Sequence, residues 1–203
     1  VSNLTDVIGQ LDAGTATFDS MNALLTQLNG ASAASQGLIT NALTNAGYAD
    51  LGSVVGNIIG VNGQVSSATP NLTDLNNILS QLSTADAKYT GVITSGLSQY
   101  NGVAGLQTVV TNLNDVIGQL DAGTATFDSM NALLGQLNTA PAASQGLITN
   151  ALTNAGYADL GSVVGNIIGV NGQVSSATPN LTDLNNILSQ LSTADVKYSG
   201  VIT

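Results

Sequence analysis

The spacing of the apolar residues favours a helical fold for this chain. In one segment the large apolar side chains are Leu72, Leu75, Ile78, Leu79 and Leu82. Intervals of three and four residues place them on one face of an α-helix, whereas a strand requires alternation. A β-solenoid built from rungs of about 18 residues is the alternative, and the same spacing disfavours it. We therefore predict an all-α protein.

The chain contains two nearly identical copies of one sequence. Residues 1–94 match residues 110–203 at a period of 109, with seven substitutions. We assign residues 1–109 to the first copy, in a circularly offset frame, and 110–203 to a second, incomplete copy. Weaker half-repeats relate residues 51–105 to residues 106–159. Because Val1 begins within the pattern, we expect the chain to be a segment of a longer protein.

The breaks in the pattern leave two helical arrangements open. Asn29-Gly30 and Asn101-Gly102 are natural helix ends, and Pro70 suits a first helical position with Thr69 as N-cap. These strong breaks favour three long helices per 109 residues, packed as tandem antiparallel bundles. The weaker breaks at "DAGTAT", "NAGYADLG" and "STADAK" define the alternative of six short helices. We favour the three long helices.

The composition excludes most chemistry. The chain has no Cys and no His, all 12 acidic residues are Asp, and its only basic residues are Lys88 and Lys197. Thiol and imidazole nucleophiles and the common zinc ligands are therefore missing. We predict that the chain is not an enzyme, that it has no catalytic, cofactor-binding or metal-binding residues, and that it binds no cofactor.

The charge balance and hydropathy restrict partners and location. A net charge of −10 repels nucleic acid, so we predict no nucleic-acid partner. The chain has no apolar run of about 18 residues, so we predict no membrane span. The absence of Cys, the near-absence of Lys and Arg, and a pI of about 4.1 favour an extracellular or cell-surface location.

A few polar residues were considered as sites. Asp12 and Asp19 are seven residues apart and share a helix face if the helix is unbroken, but Asp in such a segment more often forms turns and caps. The same holds for their copies Asp121 and Asp128. Lys88 is predicted to form a surface ion pair with Asp86, as Lys197 is with Asp195.

Tyrosines and asparagines complete the candidates. The five tyrosines stand near predicted helix ends, where a buried ring with its hydroxyl in water is expected; they are Tyr48, Tyr89, Tyr100, Tyr157 and Tyr198. Three tripeptides match the glycosylation acceptor pattern, with the acceptors at Asn3, Asn71 and Asn180. They are the only modification sites that we assign.

The composition also resembles that of a known class of proteins. Near-identical tandem copies that are rich in Asp, Asn, Thr, Gly and Ala, free of Cys and nearly free of Lys, resemble the extender regions of large bacterial surface adhesins and biofilm proteins. Three helices in a unit of this length also resemble spectrin repeats, in topology only, because the Glu, Arg and Trp typical of spectrin are missing. The first resemblance implies a structural role.

The function predicted from these features is a non-enzymatic structural repeat module of a secreted or cell-surface protein. It would act as a spacer, adhesin stalk, fibre or matrix segment, with neighbouring copies of the repeat as its partners. One alternative is a helical-bundle binding module that carries a lipid or another apolar ligand. Another is a self-associating repeat that forms fibrils through apolar stripes that one bundle leaves uncovered.

Overall fold

The computed structural model describes residues 2–203, and the described chain is helical. It contains twelve α-helices and no strand, as the apolar spacing predicts. The α-helices are α1 (Ser2–Asp12), α2 (Phe18–Asn29), α3 (Ala33–Asn45), α4 (Leu51–Ser66), α5 (Leu72–Ser83), α6 (Thr90–Leu97), α7 (Gly102–Asp121), α8 (Phe127–Asn138), α9 (Gln145–Asn154), α10 (Leu160–Val174), α11 (Leu181–Ser192) and α12 (Ser199–Ile202). Short 3-10 helices are formed by Ala87–Tyr89, Ser98–Tyr100, Ala142–Ser144 and Val196–Tyr198.

The helices are shorter than predicted. Six α-helices lie between Ser2 and Leu97, and the longest helix of the described residues, α7, has 20 residues. The prediction of three long helices per period is therefore wrong, and the alternative of six short helices describes the chain. All of the weaker breaks in the pattern end or begin a helix.

Local capping explains why the weaker breaks in the pattern are sufficient to end a helix. Gly14 and Gly47 adopt positive φ values of 65° and 82°, in the left-handed region that glycine enters without a steric penalty. Thr17 and Ser20 form a reciprocal capping box at the start of α2. Asp86 accepts the amide of Lys88 and caps a 3-10 turn.

The first turn of α5 differs from the prediction. Pro70 does not occupy the first helical position, and Thr69 is not the N-cap. Asn71 caps the helix, because its side-chain oxygen accepts the amides of Thr73 and Asp74 at 3.1 Å each. A side chain that satisfies two free amides at once outweighs the preference of Pro for the position.

The two predicted helix stops behave differently. Asn101 has a φ of 60° and Gly102 a φ of 75°, so this pair ends the preceding 3-10 helix in the left-handed conformation. Gly30 has a φ of −75° and therefore does not need to be glycine. The second copy carries Thr139 at this position with a similar backbone, which agrees with that geometry.

The chain divides into two compact units. Unit 1 runs to Thr108 and includes Pro141–Ser144, and unit 2 comprises Val109–Ala140 and Gln145–Thr203. In unit 1 the helices α2, α4 and α6 contact one another, and α5 packs on α4. In unit 2 the helices α8, α10 and α12 contact one another, and α11 packs on α10. Within residues 2–203, no helix combines the length and the hydropathy needed to cross a bilayer.

Glycines have two distinct environments, which predict opposite effects of alanine. A Cβ on Gly52 or Gly56 of α4 would meet no atom within 4 Å, and both residues are exposed. A Cβ on Gly96 of α6 would lie 2.7 Å from Ile58 and 3.0 Å from Phe18. Close helix approach thus requires glycine at position 96, while the exposed glycines only lower helix propensity.

We expect Gly52→Ala and Gly56→Ala each to raise the free energy of unfolding by about 0.5 to 1 kcal/mol. Gly96→Ala is expected to lower it by about 1 to 3 kcal/mol, because Ile58 and Phe18 must move. Chemical denaturation of the three variants checks the signs. A stabilised Gly96→Ala variant would show that α6 does not pack closely on α4.

Candidate functional site

The most distinctive set of polar contacts is a group of five residues that occurs once in each unit. We call it the tyrosine cluster. In unit 1 it consists of Asp12, Tyr48, Asp86, Lys88 and Tyr89, and in unit 2 of Asp121, Tyr157, Asp195, Lys197 and Tyr198. The cluster joins parts of the sequence that are far apart, since Asp12 and Tyr48 are separated by 36 residues.

Local turns position each member of the cluster. Asp12 is the last residue of α1. Tyr48 follows the left-handed turn at Gly47, and its amide donates to the carbonyl of Leu43 at 2.7 Å, which closes the end of α3. Lys88 and Tyr89 lie in the 3-10 turn that Asp86 caps. Each side chain is therefore held by a short structure that its neighbours in the sequence determine.

The side chains of the cluster contact one another directly. The Tyr48 hydroxyl donates to the Asp12 carboxylate at 2.7 Å, and the rings of Tyr48 and Tyr89 meet edge to face with centroids 6.3 Å apart. Lys88 Nζ lies 5.8 Å and 5.2 Å from these two ring centroids and 3.2 Å from the Asp86 carboxylate. The predicted ion pair is therefore present, and the ammonium group also forms cation–π contacts.

Unit 2 repeats this geometry. Tyr157 donates to Asp121 at 2.6 Å, and its ring lies 6.2 Å from that of Tyr198. Lys197 Nζ lies 5.7 Å and 5.1 Å from the two rings and 3.4 Å from Asp195. It also donates to the carbonyl of Gly156. The substitutions that separate the copies do not affect the contacts within the cluster.

The environment of the cluster keeps its phenols protonated. The hydrogen bond to Asp121, followed by burial, raises the pKa of Tyr157 to about 12, and the bond to Asp12 raises that of Tyr48. Burial, followed by the charge of Asp50, raises the pKa of Tyr89 to about 12, and burial also raises that of Tyr198. A phenol held neutral in this way is not available as a base at neutral pH.

The second tyrosine of each cluster does not have its hydroxyl in water, contrary to the prediction. Tyr89 and Tyr198 are each 1% exposed, and their hydroxyls make no hydrogen bond of normal geometry. The backbone of Asp50 is close enough to Tyr89 to oppose part of the rise in its pKa, without reaching that geometry. The ring contacts, rather than the hydroxyl, thus account for the position of Tyr89.

Removing single hydroxyls tests whether Tyr48 acts through its hydrogen bond and Tyr89 through its ring. We expect Tyr48→Phe to lower the free energy of unfolding by about 1 to 2 kcal/mol, because the hydrogen bond to Asp12 is lost. Tyr89→Phe is its matched control. It removes a hydroxyl that makes no hydrogen bond of normal geometry and is expected to leave stability unchanged or to raise it by up to about 1 kcal/mol. Urea unfolding at neutral pH measures both, and equal losses would contradict the assignment.

A groove between α4 and α5 adjoins the cluster in unit 1. Its volume is about 310 Å³, and its polar lining includes Asp50, Ser53, Asn57, Gln81 and Asp86. The corresponding groove of unit 2 has a volume of about 480 Å³ and the equivalent lining. The side chains in both offer carboxylate, amide and hydroxyl groups but neither thiol nor imidazole. Across the described range, no three acidic residues are close enough together to hold a metal ion.

The aspartate pair considered from the sequence is not a paired site. Asp12 ends α1, whereas Asp19 lies in the first turn of α2, beyond the loop at Gly14. The two residues are on different helices, so the premise of one shared helix face is wrong for them. Asp121 and Asp128 are separated in the same way, by Gly123 between α7 and α8. In each pair the first aspartate accepts the hydrogen bond of a tyrosine. The second lies in the first turn of a helix, where its negative charge is stabilised by the helix dipole.

The acceptor asparagines all take part in hydrogen bonds. Asn71 and Asn180 are N-caps, and their side-chain amides donate to Asp74 at 2.7 Å and to Asp183 at 2.6 Å. The side-chain amide of Asn3 donates to Gln27. A sugar attached to Asn71 would replace one of its hydrogen-bonding protons. Glycosylation at these three positions stays a prediction.

The sequence did not reveal the cluster as a unit. The tyrosines and the Asp86–Lys88 pair were each identified, but the bond between Tyr48 and Asp12 spans 36 residues and has no signature at helical spacing. The one available signal was the joint occurrence of all five residues in both copies. Comparisons with protein-family models, with curated protein sequences and with solved structures find no match to this chain.

Proposed function

We propose that this chain is a non-enzymatic structural repeat module of a secreted or cell-surface protein, in which tandem helical bundles act as a spacer, stalk or matrix segment. The observation that carries the proposal is the tyrosine cluster, which recurs with closely similar distances in two units of nearly identical sequence. A set of contacts that joins distant segments of the chain suits a structural role. An extender of a bacterial surface adhesin is the class of protein that this proposal implies.

The low charge supports the same function. The chain has 2 basic and 12 acidic residues, and the carboxylates of the ion pairs in the clusters are exposed, so these ion pairs contribute little to stability. Stability therefore depends mainly on apolar burial, which salt does not screen. A module of this kind would keep its length as the ionic strength outside the cell changes.

Self-association is the second candidate, and a specific observation favours it. Several large apolar side chains are exposed: Leu38, Ile59, Ile168, Val174, Leu181, Leu188 and Val196. Exposed apolar residues that are grouped together mark surfaces that bind other molecules. The lipid-carrier alternative has less support, because the two grooves beside the clusters are lined mainly by polar side chains.

Small-angle X-ray scattering of proteins with two and four copies of the repeat tests the spacer function. The maximum dimension is expected to increase nearly in proportion to copy number, at low and at high salt. A maximum dimension that grows only as the cube root of the mass, as for a collapsed globule, would reject it. Extraction with organic solvent and mass spectrometry serves as the control, since stoichiometric lipid would favour the carrier.

A further inference from the structure

One hairpin of identical sequence is covered in unit 1 and uncovered in unit 2. Residues 51–82 and 160–191 are identical and form α4–α5 and α10–α11. In unit 1 the inward residues Ile58, Val61, Val65, Leu75, Leu79 and Leu82 are all buried. In unit 2 the equivalent residues are half-buried or exposed. We call this surface the α10–α11 face; it consists of Ile167, Val170, Val174, Leu181, Leu184, Leu188 and Leu191.

The two units differ strongly in the exposure of residues at the same position of identical sequences. Val65 is 4% exposed and its counterpart Val174 is 71% exposed. Leu79 is fully buried, whereas Leu188 is 48% exposed. The face is thus apolar surface that the same sequence removes from water in unit 1.

The hairpin keeps the same internal contacts in both units, although α10 ends at Val174 whereas α4 continues to Ser66. Asn57 donates to Gln81 at 3.1 Å, and Asn166 to Gln190 at 3.0 Å. A Cβ on Gly60 would lie 3.2 Å from Ile78, and one on Gly169 3.1 Å from Ile187. Because these contacts within the hairpin are the same, we attribute the exposure of the α10–α11 face to the chain that packs over it.

Unit 1 includes a further segment beyond the residues that it shares with unit 2. Residues 51–94 correspond to residues 160–203, and unit 1 continues from there through Ser95–Thr108. This segment lies on α4, where Gly96 approaches Ile58 so closely that a Cβ would be 2.7 Å away. The Tyr100 hydroxyl donates to the Asn62 side chain at 2.9 Å. Its apolar residues Leu97, Tyr100 and Leu106 are buried.

We propose that the α10–α11 face is a docking surface for a segment with the sequence of Ser95–Thr108, supplied by a further copy of the repeat. The proposal rests on the proposed function as a tandem module and names the segment through which copies join. The segment carries no charged residue, so its binding is apolar and insensitive to salt. Tyr100 would meet Asn171, the exposed counterpart of Asn62.

An extension of the full chain tests the proposal. The sequence of Ser95–Thr108 is added after Thr203, the position that corresponds to Thr94. We expect hydrogen exchange of the α10 and α11 amides to slow by about tenfold or more, and binding of an apolar dye to fall. A matched control extension carries Leu97→Asp and Tyr100→Ala and is expected to change neither.

A synthetic peptide with the sequence of residues 90–108 provides the second measurement. It is expected to bind the original chain saturably, to bind equally at low and high salt, and not to bind the extended chain. The chain variant Leu188→Asp, at a site that is already half exposed, is expected to abolish this binding while leaving unit 1 folded. Helical circular dichroism of that variant checks its folding.

Three results would overturn the proposal. The first is unchanged exchange of α10 and α11 in the extended chain, and the second is equal protection by the control extension. The third is saturable binding of neutral lipid vesicles together with unchanged hydrogen exchange in the extended chain. That result would show that the face binds a lipid surface. If the scattering dimension still increases with copy number, the spacer function survives these results. Protection by the extension without that increase would reject the spacer function alone.

Discussion

Leu79→Ala is expected to lower the free energy of unfolding by about 3 kcal/mol, whereas Leu188→Ala is expected to lower it by about 1 kcal/mol or less. The two leucines occupy the same position of two identical helices. Leu79 is fully buried, and Leu188 is 48% exposed. Removing the first creates a cavity, while removing the second trims a surface that already contacts water.

The measurement must localise the effect, because two compact units need not unfold together. Urea unfolding followed by hydrogen exchange of α5 and α11 reports each unit separately. Leu75→Ala and Leu184→Ala form a second matched pair, since Leu75 is fully buried and Leu184 is half-buried. Equal losses for the two members of either pair would show that the α10–α11 face is covered in solution by the chain itself.

Alkaline unfolding is the second large effect. The pKa of Tyr89 is about 12 in the folded protein against an ordinary value of 10.0, so the unfolded chain releases this proton first as the pH rises. The free energy of unfolding is therefore unaffected by this group below pH 10 and falls as the pH rises from 10 toward 12. For the buried Tyr89 this pH-dependent loss is about 2 to 3 kcal/mol.

The raised pKa values of the other tyrosines also lower the free energy of unfolding at alkaline pH. The pKa of Tyr157 is raised to about 12, and those of Tyr48, Tyr100 and Tyr198 are raised as well. We therefore expect cooperative unfolding above pH 10, with phenolate absorbance and loss of helical circular dichroism changing together. The Tyr89→Phe variant removes one titrating group and is expected to unfold at higher pH. Phenolate absorbance that rises well before the helix signal falls would contradict this linkage.

We expect the free energy of unfolding to change little at acidic pH. Hydrogen bonding to the Lys88 amide and the charge of Lys88 lower the pKa of Asp86, and Lys197 does the same for Asp195. These contributions are present above the ordinary carboxyl pKa and are lost as the pH falls through the lowered value. Both carboxylates are exposed, so their loss is small. Helical circular dichroism at pH 3 is expected to stay close to its value at neutral pH.

The helices were predictable because their signals are local. Apolar spacing identified the stripe of α5, and "DAGTAT", "NAGYADLG" and "STADAK" marked the helix ends. The prediction of three long helices was wrong because it treated these weaker breaks as positions within a helix. A cap such as Asn71, which satisfies two amides, acts within three residues and is sufficient to start a helix.

The tyrosine cluster could be predicted only in part. The Asp86–Lys88 ion pair follows from adjacency in the sequence, and the structure confirms it. The bond from Tyr48 to Asp12 and the ring contact between Tyr48 and Tyr89 join residues from three separate segments. No spacing rule relates such segments, because their approach depends on how α2, α4 and α6 pack.

The sequence by itself determined the helical class and the position of several helix ends, because apolar spacing and caps act within a few residues. Only the tertiary structure decided which apolar faces are covered. Helices α5 and α11 have one sequence and one capping pattern, yet Leu79 is buried where Leu188 meets water. Burial depends on the chain that packs over a helix and not only on the sequence of the helix itself.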